Sequence, residues 1–192
     1  AVEKEIRPLL LDYVELLLLT GMRHGTEAMG ICWNNVEWHT HKGVRYLRIW
    51  VSGKTGGRWL IAKHRAVDVL KRLHARQLDI RDMDFDELLR SRVTSRLFRF
   101  STGYQPHSFV GTFRRLMRDS GLALDAEGQN RTLYSLRHTY ATLELLNNST
   151  DIHTLNNSTD IHTLSKQMGN SAAMIERHYS KLTATMAAEG LA

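Results

Sequence analysis

Strand-forming chemistry in this chain is confined to one stretch, residues 36–62, and that confinement limits the fold more than any other feature. The runs 36–39, 44–51 and 58–62 are rich in Val, Ile, Trp and Tyr and are separated by glycine-bearing turns, the pattern of neighbouring strands joined by tight hairpins. They predict one small antiparallel sheet of three strands. The second hairpin carries SGKTGG, residues 52–57, at its tip, a flexible turn that lifts Lys54 off the sheet. Elsewhere the spacing is helical. Ile6, Leu9, Leu10, Tyr13, Val14 and Leu17 follow the i, i+3, i+4 rule through residues 2–19, with Gly21 placed as a C-terminal cap. A short helix is expected from Thr26 to Cys32, and further helices over 65–77, 85–90, 108–120, 134–146, 161–168, 172–178 and 183–189, with a loop at 121–131 dividing the set. The expected fold class is mainly α with a small three-stranded antiparallel β-sheet.

With 192 residues, 42% of them hydrophobic, and only 2 prolines, the chain can bury one good core and offers no linker composition between domains. A single domain over residues 1–192 is expected. No run of about 18 apolar residues occurs, so neither a membrane span nor a signal peptide is expected. The single cysteine, Cys32, excludes an internal disulfide and any multi-cysteine zinc site, and fits a reducing, cytoplasmic compartment. Lys and Arg number 26 against 20 Asp and Glu, a net charge of +6, which favours polyanionic partners.

The nine residues NNSTDIHTL stand twice in succession, at 147–155 and 156–164. Two copies of so short a unit do not build a solenoid, whose units are supersecondary elements of about 20 residues or more. A helix turns about 100° per residue, so a helical insertion of this length would swing the downstream face to the opposite side. The composition NNSTD favours turns and helix caps, so one copy is expected to bulge out as a polar loop.

Five motifs carry chemistry. Thr20-Gly21-Met22-Arg23-His24-Gly25-Thr26-Glu27 follows the first helix, Lys54-Thr55-Gly56-Gly57-Arg58 lies on the second hairpin, and Tyr134-Ser135-Leu136-Arg137-His138-Thr139-Tyr140-Ala141-Thr142 opens a late helix. After the duplication come Met168-Gly169-Asn170 and then Arg177-His178-Tyr179. Taken in this order, the boxes resemble those of the tyrosine recombinase (phage integrase) catalytic domain: T-G-x-R-x-x-[ST]-E, a hairpin lysine in K-T-G-x-x-R that is one residue shorter here, H-x-L-R-H-T-x-A-[ST], L-G-H and a tyrosine in a pattern like R-Y. The resemblance covers practically the whole chain, from about Leu9 to Ser180. Arg137 and Asn170 are 33 residues apart, or 24 with one nine-residue copy removed, which is close to the family's interval. The duplication therefore looks like an insertion in the turn between two helices, where surface loops accept added length at small entropic cost.

The resemblance implies the integrase catalytic-domain fold and a site-specific recombinase that cuts and rejoins DNA through a 3′-phosphotyrosine intermediate, with no metal, ATP or other cofactor. Charge builds on the non-bridging oxygens during phosphoryl transfer. Arg23 and Arg137 would hold them as forked guanidiniums. Tyr179 would be the nucleophile and Lys54 the general acid for the leaving 5′-oxygen. Two supporting positions depart from the family pattern: its usual histidine is Tyr134 here, and the His or Trp of the L-G-H box is Asn170. Both can hydrogen-bond, but neither carries an imidazole proton, so a slower or more conditional enzyme is expected.

By the same resemblance the partner is double-stranded DNA, bound by a homotetramer on two sites, with a monomer in isolation and a nucleoid-associated location. An N-terminal clamp domain usual in the family is absent from this sequence, and residues 183–192 are the candidate segment for exchange between neighbours. A type IB topoisomerase and a catalytically degenerate DNA-binding relative stay open as alternatives. His39 and His41 share a strand face, but no third ligand accompanies them, and an exposed polar face explains them better than a metal pair. The clusters Arg90, Arg92, Arg96, Arg99 and Arg114, Arg115, Arg118 suggest a basic face.

Overall fold

The computed structural model describes residues 2–53, 56–149 and 161–177. The first helix, α1 (Val2–Thr20), forms where the apolar spacing predicts it and buries Leu9, Leu10, Tyr13, Leu16 and Leu17. Its end is built locally: the Thr20 hydroxyl donates to the Leu16 carbonyl at 2.7 Å, and Gly21 takes φ +66°, a conformation in which side chains are strained. Gly21 is required twice over, because a Cβ there would stand 2.3 Å from the Tyr140 ring. A late helix can therefore press directly on the end of the first one.

After α2 (Thr26–Gly30) and a 3-10 turn (Trp33–Asn35) comes the sheet: β1 (Val36–His41), β2 (Val44–Gly53) and β3 (Gly56–Ala62), antiparallel in the order β1-β2-β3. Lys42 and Gly43, both at positive φ, make the tight first turn. The register Val36↔Ile49 and Ile49↔Leu60 sets one apolar row inward, with Leu47 and Ala62 on one side and Val51 opposite Arg58 on the other. Outward, Trp50 faces Trp59 with ring centroids 5.3 Å apart. The strands outrun their apolar residues at the second hairpin, since the ladder continues through Ser52↔Gly57 and Gly53↔Gly56. The tip residues Lys54 and Thr55 lie outside the described residues.

Four further helices follow the expected order. α3 (Ala66–Arg76) lays Ala66, Val69, Leu70 and Leu73 on α1, and α4 (Phe85–Arg90) is capped by the Asp84 carboxylate, which accepts from the Asp86 and Glu87 amides. α5 (Val110–Asp119) buries Phe113 against the same core. α6 (Ser135–Ser149) starts one residue later than expected, after a turn in which the Thr132 hydroxyl accepts from the Tyr134 amide and Ser135 Oγ accepts from the Thr132 amide. The expected second helix likewise stops at Gly30, two residues short of Cys32.

α7 (Ile161–Met168) opens on the last four residues of the second NNSTDIHTL copy, while α6 runs through the first three of the first copy. What lies between, residues 150–160, is outside the described residues, and so is the expected polar bulge. Residues 172–177 are helical, and the expected helix at 183–189 is also outside.

Two apolar clusters result. The larger joins α1, the sheet, α3 and the segment holding Leu97, Phe98, Phe100 and Phe109; the smaller is Tyr140, Ala141, Leu164, Met168 and Ile175. Gln167 ties them: its amide donates to the Thr20 and Ile61 carbonyls and accepts from the Ile61 amide, pairing with the free edge of β3 as a strand would. Among the described residues no helix is long and apolar enough to cross a membrane.

Candidate active site

The seam between the two clusters is polar. Arg137 projects into it from the first turn of α6 and is 2% exposed. Its guanidinium donates to the Gly21 carbonyl at 2.6 Å, to the Met168 carbonyl, and to Asn170 Oδ1 at 2.9 Å, while its Nε is buried without a hydrogen-bond partner. Arg23 arrives from the loop after α1, donating to the Gly169 carbonyl at 2.5 Å and to Asn170 Oδ1 at 3.2 Å. The two arginines thus converge on one amide oxygen. Because that oxygen faces them, the Asn170 NH2 group points away and is free in direction to meet another acceptor.

Asn170 is held by the end of its own helix. Gly169 takes φ +66°, its amide donates to the Lys166 carbonyl, and the Asn170 amide donates to the Ser165 carbonyl at 3.0 Å, the two bonds of a Schellman ending. The turn is both a helix cap and a presentation device.

Glu27, 3% exposed, anchors the other side. Its carboxylate accepts from the Arg23 amide at 2.9 Å, from the Arg23 guanidinium at 2.6 Å, and from both ends of Arg58 at 2.9 and 3.0 Å. Arg58 also donates from Nε to the Gln167 carbonyl at 3.1 Å. Burial pushes the Glu27 carboxyl up, but the bonds from Arg58 and Arg23 outweigh it and hold the group below the ordinary carboxylate value. Burial, and then repulsion from Arg23 and Arg58, bring Arg137 down to about 10. It is still a cation at neutral pH. Among the described residues, these bonds gather three guanidiniums around one carboxylate, an excess of positive charge of the kind that favours anions.

Tyr134 stands at the rim, 42% exposed, one residue ahead of α6. The Arg137 amide donates to its carbonyl at 3.1 Å, so one turn links the two, and its ring meets His138 and His24 edge-on at 4.9 and 6.4 Å. Burial holds the His24 imidazole below its ordinary value. Of the six expected site residues, Arg23, Arg137 and Asn170 come together, Tyr134 adjoins them, and Lys54 and Tyr179 lie outside the described residues. Among the described residues no group of three or more His, Cys, Asp or Glu could hold a metal ion.

No family model matches the chain, and no curated protein matches it. Among solved structures it is similar to the crystal structure of XerA recombinase, at 21% identity and a TM-score of 0.49, with 95% of this chain covered. The chain spans 64% of that structure's length.

The expected set omits two residues that build the site, Glu27 and Arg58. Both had a readable signal. Glu27 stands four residues after Arg23, the spacing of an ion pair over one helical turn. Arg58 shares strand parity with Leu60 and Ala62, so a charged side chain was due to point inward and needed a partner there.

Proposed function

We propose that this chain is the catalytic domain of a tyrosine recombinase, a DNA strand transferase working through a 3′-phosphotyrosine intermediate. The observation that carries the reading is the convergence of Arg23 and Arg137 on Asn170 in a seam with surplus positive charge. A phosphodiester placed there would meet both guanidiniums through its non-bridging oxygens and the Asn170 NH2 group beside them. Tyr179 Oη attacks phosphorus and releases its phenolic proton to water, the bond to the 5′-oxygen breaks, and Lys54 gives that oxygen its proton, leaving a free 5′-hydroxyl and a 3′-phosphotyrosyl ester. Attack by a 5′-hydroxyl of another strand reverses the step. The bond energy is conserved, so neither metal nor ATP is drawn on. Tyr134 supports the phosphate through its hydroxyl. The partner is double-stranded DNA, engaged by a homotetramer on two sites at the nucleoid.

The test is covalent trapping on a library of nicked suicide duplexes, run on a denaturing gel beside Tyr179→Phe. A slow-migrating protein–DNA band, absent from the control, is expected. DNA binding with no band, in this chain and in a variant lacking residues 150–158, would assign a degenerate DNA-binding relative instead. Relaxation of supercoils without exchange between two sites would assign a topoisomerase.

A further inference from the structure

Arg58 touches two sides of the candidate site, Glu27 and the Gln167–Gly169 turn, without bonding to Arg23, Arg137 or Asn170 itself. It occupies an inward position on β3, opposite Val51, with its side chain 14% exposed. Its two terminal nitrogens are spent on Glu27, and its Nε is spent on the Gln167 carbonyl. Gly169 lies against the flat of the guanidinium: a Cβ there would come within 2.8 Å of Arg58 Cζ and Nη1 and 2.9 Å of Nε. Glycine at 169 therefore serves both its positive φ and this close approach.

We propose that Arg58 is a positioning residue that sets Arg23 and Asn170 in register. On one side it fixes Glu27, whose carboxylate orients Arg23 through the Arg23 backbone and guanidinium. On the other it fixes the Gln167–Gly169 turn, which presents the Gly169 carbonyl and Asn170 Oδ1 to the same Arg23 nitrogen. It also ties this pair to the strand leading back to the Lys54 hairpin. A lysine could not replace it, since a single ammonium cannot span both Glu27 oxygens, reach the Gln167 carbonyl and lie flat under Gly169 at once.

This inference rests on the recombinase reading for its catalytic consequence, and its test separates the two. Arg58→Lys is compared with the parent chain in thermal unfolding, DNA affinity, single-turnover cleavage at saturating DNA, and arginine side-chain NMR. The variant is expected to fold, to bind DNA within roughly 3-fold of the parent, and to cleave roughly 30- to 100-fold more slowly, the scale of loss when reacting groups shift by about an ångström. The Arg23 guanidinium should show faster rotation about its Cζ–N bonds, with that of Arg137 unchanged. A merely structural residue would lower the melting temperature and leave both readouts alone, which overturns the proposal. A loss of DNA affinity matching the loss of cleavage overturns it too, by making Arg58 a phosphate ligand.

Absent cleavage in the parent chain sinks the recombinase reading, while the NMR comparison still decides the positioning role. Should Arg58→Lys not fold, Arg58→Gln takes its place with the same expectations. Failure of both to fold assigns Arg58 to domain stability and ends the proposal.

Discussion

Two buried carboxylates in this molecule are each gripped by two arginines, and they do different things. Asp12, fully buried on α1, takes Arg72 Nε at 2.8 Å and also pairs with Arg76, both from α3. Arg72 reaches on to Glu15 as well, so two arginines meet two acids. The outer parts of those arginines are in water, at 42% and 34% exposure. That cluster is balanced in charge and clips two helices together. Around Glu27 the count among the described residues is three guanidiniums to one carboxylate, and the third, Arg137, is buried with an unpartnered Nε. Ion pairs alone do not tell a strut from a receptor; the leftover charge and the unspent donors do.

Removing each carboxylate should break the comparison most visibly. Glu27→Gln leaves three buried or half-buried cations without their counter-charge and is expected to cost roughly 3–5 kcal/mol of stability. Asp12→Asn should cost less, about 1–3 kcal/mol, because Arg72 and Arg76 can turn to solvent and only the buried amide then lacks good partners. Urea unfolding of both variants measures this. An equal or reversed order would mean that the site cluster is as self-contained as the strut.

The next largest effect falls on chemistry. On the recombinase reading proposed above, Arg137→Gln would remove a buried donor to a developing phosphorane charge and is expected to slow cleavage by roughly 10²–10³-fold, about 2.7–4 kcal/mol. Arg72→Gln should leave the cleavage rate unchanged while lowering stability slightly. Single-turnover cleavage on a trapped substrate reads both, and similar losses in the two variants would erase the distinction between receptor and strut.

How much of this was legible in the chain can be argued from particular residues. The sheet was legible because Val36, Ile49 and Leu60 sit at alternating positions in β-branched and aromatic runs, and such runs with glycine turns have few other uses. Arg23 and Arg137 were legible only through motif resemblance, since an arginine at a helix start is ordinarily solvated. Arg58 needed no motif, but its inward parity had to be taken as a demand for a partner. The closeness of Gly21 to Tyr140, and the pairing of Gln167 with the edge of Ile61, were not legible. Both join segments far apart in sequence and depend on how α6 and α7 dock, which no local pattern encodes. The strand ends were missed for a related reason: ladder bonds carried β2 and β3 through Ser52, Gly53, Gly56 and Gly57, whose own propensities argue for a turn.

A finer change should convert the receptor into a strut. Asn170→Asp places a second carboxylate where Oδ1 already accepts from Arg23 and Arg137. Bonds to a charged acceptor are worth about 1 kcal/mol more than neutral ones, so the variant is expected to gain roughly that much stability. DNA affinity and cleavage should fall together, because the surplus charge is halved and the amide donor is gone. A stabilised variant that still cleaves at the parent rate would show that Asn170 is only the helix cap.

The smallest effect lies in the acid limb of stability. Glu27 is held below its ordinary value of 4.5, where burial alone would raise it, by bonds from Arg58 and Arg23. In the unfolded chain the group takes up its proton first as pH falls. Stability from this carboxylate is therefore present in full above about 4.5, declines below that, and is lost once pH has passed through its folded value. Glu27→Gln removes the proton uptake, so its unfolding free energy should fall less steeply with pH below 4.5 than that of the parent chain. Arg137 adds no slope there, since its proton leaves only near 10. Urea midpoints taken between neutral pH and the acid limb check the sign, and parallel curves for the two proteins would mean that Arg58 and Arg23 do not favour the charged form of Glu27 in the folded state.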